Sequence, residues 1–218
     1  MGYSTVRMKS DRPRAERDFY STPIGLMYGA VERVVNDEIW PGLYPSNFRW
    51  NILDAGCGDG KWGNVLAGKL NSMFSRPAFT TGIDIEQQPK ALEFVDKFVC
   101  DDYLGKYSER QNFIIGNPPF NLAEEFVHKS LSLMSSGGYV FFLLRLAFLE
   151  GRKRQLSLFE KTPLKRVYVL TRRPSFFSTK NGKDTTDTLA YAMFLWESGY
   201  SSEDGDGPTL DWLYWENQ

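Results

Sequence analysis

From Phe48 to Arg145 the chain switches repeatedly between short apolar runs and stretches with helical spacing, and this alternation restricts the fold more than any other feature. "FRWNILDAG" (48–56) reads as a strand breaking into glycines, "KWGNVLAGKLNSMF" (61–74) as a helix and "AFTTGIDI" (78–85) as a second strand. A short helix, "QQPKALEFV" (87–95), leads to the strand "KFVCDD" (97–102). The strand "NFIIG" (112–116), the helix "LAEEFVHKSLSLM" (122–134) and the strand "YVFFLLR" (139–145) follow. Strands joined through helices pair in parallel and carry helices on both faces. A helix over 25–40 precedes this core; a polar helix-like piece near 150–160 and the strands "RVYVL" (166–170) and "LAYAMFLW" (189–196) follow it. No convincing helix separates the last two strands. The expectation is a mostly parallel, seven-stranded α/β sheet with an antiparallel last strand and helices on both faces. Ligands of such sheets sit beyond the carboxyl ends of the strands, so functional residues should follow strands directly.

Composition narrows the class. With 218 residues, 42% of them hydrophobic, the chain suits one globular domain with a sizeable core. The longest apolar run, "YVFFLLRLAFL" (139–149), is too short to span a bilayer and contains Arg145. "MGYSTVRMKSDRPRAERDF" has no hydrophobic segment of the secretory kind, and Val6 breaks the myristoylation pattern. Cys57 and Cys100 are too few for a disulfide framework or a zinc site, and read as reduced, buried thiols of a cytoplasmic protein without a metal or a membrane partner. Net charge is −1, yet residues 145–183 hold eleven Lys/Arg against Glu150 and Glu160, while from Asp184 onward there are eight acids and no Lys or Arg. Two readings stay level: a basic face for nucleic acid beside an acidic tail, or opposite blocks that pair with each other.

The first strand ends in "DAGCGDGKWG" (54–63), whose Gly56, Gly58 and Gly60 permit a tight turn and close approach of a ligand to the backbone. A P-loop is excluded, because Ala55 holds the first glycine position and Trp62 follows Lys61. A dinucleotide fingerprint can be traced through Gly58, Gly60 and Gly63 to Asp84, but it leaves Asp54 without a role. A third reading uses every acid. Asp54 at the first strand tip accepts from a cationic ligand or from water around it. Asp84 after the second strand accepts from ribose hydroxyls, and Asp102 after the third from an adenine amino group. S-Adenosylmethionine, with its ammonium, sulfonium and adenosine, has these parts.

"DAGCGDG", "GIDIE", "CDDYL" and "NPPF", in this order, resemble the motifs of the S-adenosylmethionine-dependent amino-methyltransferases, especially the DNA adenine-N6 methyltransferases. "RDFYSTP" (17–23) is similar to the segment that in this family closes over the methionine end of the cofactor. "RPSFF" (173–177) followed by "AYAMFLW" resembles the late aromatic motif and last hairpin of compact phage-type members. The resemblance implies a Rossmann-like fold and S-adenosylmethionine bound by Tyr20, Thr22, Pro23, Asp54, Gly56, Cys57, Gly58, Asp84, Ile85, Asp102 and Asn117. It implies one methyltransferase domain over 1–218: a lid and helix segment (17–47), a cofactor and catalytic core (48–145), basic substrate loops with the last strands (146–197), and an acidic tail (198–218).

"NPPF" (117–120) explains why an apolar strand ends on two prolines. Pro118 and Pro119 lack an N–H, and Asn117 and Pro118 each precede a proline and are pushed toward extended geometry, so the turn is stiff and rich in acceptors. The Asn117 side-chain oxygen and the Pro118 carbonyl can take both hydrogens of an exocyclic amine, favouring a more tetrahedral nitrogen whose lone pair is free to attack. Phe120 can stack on the ring, which must be flipped out of a duplex to reach the site. Phe176 or Phe177 would form a second wall.

The expected reaction is methylation of adenine N6 in DNA, with Arg145, Arg152, Lys153, Arg154, Arg172 and Arg173 toward the substrate and its phosphates. Adenine in RNA is the alternative partner and a protein glutamine a third; a non-catalytic binding subunit conflicts with the intact Asn117–Pro118–Pro119. Base readout is expected from the loops 147–163 and 174–186 or from a partner, with short or relaxed sequence preference. His128, the only histidine, reads as a surface residue, and Trp62 lies close enough to the glycine turn to touch the cofactor.

Overall fold

The computed structural model describes residues 21–42, 44–178, 184–185, 188–201 and 207–216. Helix α1 (Ile24–Val34) runs into a single π turn (Val35–Ile39) and precedes strand β1 (Asn51–Ala55). Then come α2 (Lys61–Asn71), β2 (Phe79–Asp84), a 3-10 turn (Pro89–Glu93), β3 (Lys97–Cys100), β4 (Gln111–Gly116), α3 (Ala123–Leu133) and β5 (Met134–Arg145). A short α4 (Arg152–Arg154) continues as a second π turn (Gln155–Phe159). β6 (Leu164–Leu170) is followed by the two-stranded ribbon β7 (Phe177–Ser178) and β8 (Asp184–Thr185), then β9 (Tyr191–Glu197) and β10 (Thr209–Leu213).

The main sheet has the order β10-β6-β9-β5-β4-β1-β2-β3. Every neighbouring pair is parallel except those made by β9, which runs against both β5 and β6. The expected seven strands are therefore eight. The antiparallel strand lies inside the sheet, between β5 and β6, and β10, from the segment expected to be an acidic tail, adds a parallel edge beyond β6. Leu213 of β10 and Trp215, two residues past it, are buried in the layer that includes α1, where Gly29 leaves room for Trp215. No helix separates β6 from β9 among the described residues, as the sequence suggests.

Alternation with period two sends successive residues of each strand to opposite layers. Ile52, Phe113, Ile115, Phe141 and Leu143 enter the core beneath α1 and α2; Leu53, Ile114, Val140, Phe142 and Leu144 enter the core beneath α3 and Leu158. With both faces covered, β4 and β5 read as nearly continuous apolar runs. Gly116 ends β4 where a Cβ would lie 2.7 Å from the Ala55 carbonyl oxygen of β1. A Gly116→Ala substitution must therefore push β4 from β1 just before Asn117. We expect a loss of about 1–3 kcal/mol of stability, read as a lower denaturant midpoint; an unchanged midpoint refutes the close approach.

The charge blocks partly pair. Lys165 Nζ lies 2.5 Å from both Glu38 and Glu197, and Arg166 Nη1 lies 3.4 Å from Asp211, which also meets Arg33 at 2.7 Å. Two basic residues of the 145–183 block are thus neutralised, in part by Glu197 and Asp211 of the acidic block. Arg145, Arg152, Lys153, Arg172 and Arg173 stay exposed. Cys57 is buried as expected, but Cys100, at the end of edge strand β3, is exposed. Among the described residues no helix is long and apolar enough to cross a membrane, and no cluster of His, Cys, Asp and Glu could hold a metal.

Candidate active site

β1 turns into α2 through a backbone that only glycine adopts easily: Gly56, Gly58 and Gly60 have φ of 67°, 51° and 77°. The N–H groups of Gly56 and Cys57 donate to the Ile83 carbonyl (2.9 and 3.0 Å), tying the turn to the end of β2. Gly58 N–H donates to Asp84 Oδ2 at 2.9 Å, and Glu86 N–H to Asp84 Oδ1 at 3.0 Å. Asp84 is held by one bond to each oxygen, and each oxygen keeps further acceptor capacity. Asp102, past β3, is exposed and closes its own turn by accepting from Leu104 N–H at 2.9 Å.

These elements enclose a cleft of about 950 Å³, its open mouth included, at the carboxyl ends of β1, β2 and β4. Its walls include Thr22, Gly56, Cys57, Gly58, Asp84, Ile85, Asp102, Asn117 and Pro119. The order of the strands reverses beside β1, so the cleft sits at the switch point where α/β sheets bind ligands. Ile85, though apolar, is 62% exposed, which suits a residue waiting for a flat ligand face. The cleft also takes in Met27, Trp62, Glu86, Tyr103, Leu122 and Phe126. Of these, only Trp62 was expected near the cofactor; Glu86 and Tyr103 fall within the quoted "GIDIE" and "CDDYL", while Met27, Leu122 and Phe126 come from helical turns that carry no motif.

Thr22 joins three segments. It is buried, and its hydroxyl oxygen accepts from Trp62 Nε1 at 3.3 Å and from Asn117 Nδ2 at 3.2 Å. The segment before α1, the glycine turn's helix and the Asn-Pro-Pro-Phe turn therefore meet at one hydroxyl. The bond from Nδ2 fixes which way the Asn117 amide faces.

Several expected site residues stand elsewhere. Asp54 does not line the cleft. It is 1% exposed beneath the turn and accepts from Gly63 N–H at 2.8 Å, bracing the start of α2, while its Oδ1 has no hydrogen-bond partner among the described residues. Pro23 caps α1, its carbonyl accepting from Leu26 and Met27, and it too is outside the cleft. Pro118 is buried behind the wall. Phe176 is 7% exposed and packs edge-on against Tyr191, 5.2 Å between centroids, so it belongs to the core rather than to an open wall. The backbone of Phe177 begins β7, and Tyr20 lies outside the described residues. Arg154 donates to the carbonyls of Phe148 (2.8 Å) and Glu150 (2.5 Å), which commits its guanidinium to the turn over 146–150. Arg172 lies over the Trp215 ring at 5.6 Å. His128 is on the surface, as expected.

Phe120 lines a second hollow, with Ala123, Leu144, Arg145, Phe148 and Arg154 around it. Its ring is half-buried, 5.4 Å from that of Tyr191. Asn117 and Pro119 thus line the cleft, and Phe120, next in the same turn, lines the hollow.

Burial pushes the Asp54 carboxyl well above the ordinary value of 3.8; the Gly63 N–H opposes this, and the charges of Asp59 and Asp84 add to it. The native chain then holds a proton that the unfolded chain releases. This contribution to stability is complete below 3.8 and is lost as pH rises through the folded value. Asp54→Asn, neutral at every pH, is expected to be more stable than the parent at neutral to alkaline pH. The advantage should shrink to nothing near pH 3.8 in urea unfolding across a pH series; parallel curves at all pH values would refute the assignment.

No protein-family model matches the chain, and no curated protein matches it in sequence. Solved structures do match in shape. A chain from Listeria monocytogenes assigned to the class I S-adenosylmethionine-dependent methyltransferases shares 14% identity at a TM-score of 0.62, over 94% of this chain and 68% of that one. The methyltransferase subunit of a type I restriction-modification system from Streptococcus thermophilus gives 12% and 0.61 over 84% of this chain, which spans only 45% of that subunit. Magnesium protoporphyrin IX methyltransferase from Synechocystis PCC 6803, crystallised with S-adenosylmethionine, gives 14% and 0.52 over 80% of each chain. The chain shares the Rossmann-like fold of these S-adenosylmethionine-dependent methyltransferase structures, in a sheet of eight strands.

Proposed function

We propose that the chain transfers the methyl group of S-adenosylmethionine to the exocyclic N6 amino group of adenine in DNA. One observation carries the reading: Asn117 and Pro119 line the same cleft as Gly56, Cys57 and Gly58, so an amine held by the turn meets whatever the glycine bend holds. The donor set fits this cofactor. Asp84 and Asp102 offer acceptors for ribose hydroxyls and an adenine amine, Ile85 and Phe126 offer apolar surface, and the glycine bend with Thr22 receives the methionine end. Asp54 supports that end from below through the turn. When bound, the cofactor supplies an electrophilic methyl carbon on a sulfonium.

The chain's own residues supply orientation. The Asn117 amide oxygen accepts one amine hydrogen and the backbone carbonyl of Pro118, whose side chain is buried behind the wall, accepts the other, which draws the nitrogen lone pair out of conjugation with the ring. Holding the reactants in line is worth up to ~7–11 kcal/mol in favourable cases. No prior deprotonation is needed, since the nitrogen sheds a proton readily once it has become cationic. Flipping the base costs a few kcal/mol, and stacking on Phe120 returns ~1–3 kcal/mol. Exposed Arg152, Lys153, Arg172 and Arg173 are the candidates for phosphate contacts. The restriction-modification relative supports DNA as the acceptor class.

The test offers labelled S-adenosylmethionine with duplex DNA, single-stranded DNA, RNA and protein, followed by hydrolysis and identification of the labelled product. N6-methyladenine from DNA is the expected result. Label in RNA adenine or in glutamine would transfer the same chemistry to that acceptor, and binding of cofactor without transfer to any acceptor would end the enzymatic reading.

A further inference from the structure

We propose that Arg145 forms the outer layer of the acceptor slot, stacking its guanidinium plane on the ring that Phe120 supports from the other side; this rests on the methyl-transfer reading above. Arg145 Cζ lies 4.8 Å from the centroid of the Phe120 ring, and both residues line the second hollow. Its backbone position is set by the sheet, as the last residue of β5, in register with Tyr191 of β9. Tyr191 in turn packs against Phe120.

Other arginines of the chain have different commitments. Arg33 and Arg166 pair with carboxylates, Arg154 with carbonyls and Arg172 with a distant tryptophan. Among the described residues no carboxylate pairs with Arg145, and the side chain is exposed. A planar cation resting on an aromatic face at a ligand rim already occupies the position in which a planar acceptor stacks. At 4.8 Å there is no space for a ring between the two. The long Arg145 side chain must therefore retreat by one layer as the acceptor enters, and it then covers the acceptor's outer face. Guanidinium planes stack on unpaired bases in this way. Lysine keeps the charge but has no plane, so the role depends on shape as well as sign.

The experiment compares wild type, Arg145→Lys and Arg145→Ala in steady-state transfer to unmethylated mixed-sequence DNA at two salt concentrations, with cofactor KM measured alongside. Both variants are expected to raise the DNA KM about 3–30-fold, with cofactor KM unchanged and, for Arg145→Lys, the salt dependence of the wild type. Wild-type behaviour of Arg145→Lys overturns the proposal and makes Arg145 a simple phosphate contact. A fall in kcat alone also overturns it and makes the residue a support for Phe120. If wild type modifies RNA or protein instead of DNA, the DNA reading fails; the same variants are then compared on the acceptor that is modified, with the same outcomes deciding.

Discussion

Asn117→Ala is expected to lower methyl-transfer turnover by about 10²–10³-fold, the scale for removing one oriented hydrogen-bonding group from a reacting centre, while cofactor affinity changes far less. The amide is positioned from three directions. Gly116 locks the end of β4 against β1. Pro118 and Pro119 stiffen the chain after it. Thr22, itself fixed by Trp62, receives the amide nitrogen. In the proposed reaction the amide oxygen is what the acceptor amine needs, and alanine has no replacement for it. Single-turnover transfer of labelled methyl measures the loss, and calorimetry with S-adenosylhomocysteine measures the binding. Thr22→Ala separates orientation from chemistry: it keeps the oxygen and frees the amide to rotate, so about a tenfold loss is expected, the scale of one net hydrogen bond. Turnover retained in Asn117→Ala would remove the residue from the reaction.

Asp84→Ala should do the reverse. Two hydrogen bonds to a charged carboxylate, at ~1.5–3 kcal/mol each, correspond to a loss of about 10²–10⁴-fold in cofactor affinity. The substitution also releases Gly58 and Glu86, whose N–H groups the carboxylate now holds, so the turn loosens as well. Because the ribose is remote from the methyl group, substrate and product forms of the cofactor should weaken equally, and turnover at saturating cofactor should recover most of its value. Asp84→Asn, which keeps one acceptor and the shape, is expected to fall between. Calorimetric titration of both cofactor forms decides the matter; an unchanged Kd would move the ribose site away from β2.

Much of the site was legible because its chemistry is local. A turn that needs three left-handed residues in seven shows itself as glycines, and two prolines after a strand show a rigid terminus. Asp84 and Asp102 were identifiable for the same reason: each directly follows a strand, and the topology brings strand ends together. Asp54 was the exception, since the same position after a strand leaves two directions open. Its side chain turned inward to Gly63, where the missing Cβ of that glycine makes the space beneath α2. Phe176 is a related case: an aromatic residue after basic ones reads equally as a wall or as core, and in the structure it packs edge-on against Tyr191.

Hydrophobic period, turn chemistry and the acids after strands were enough to establish an α/β sheet with a ligand cleft at its carboxyl edge, because each is written within a few consecutive residues. The eighth strand, the meeting of Thr22, Trp62 and Asn117 at one hydroxyl, and the guanidinium of Arg145 resting on Phe120 come from residues up to 95 positions apart. Such contacts exist only once the strands have taken their order, since a side chain's partner across the sheet is set by register and layer and not by its neighbours along the chain.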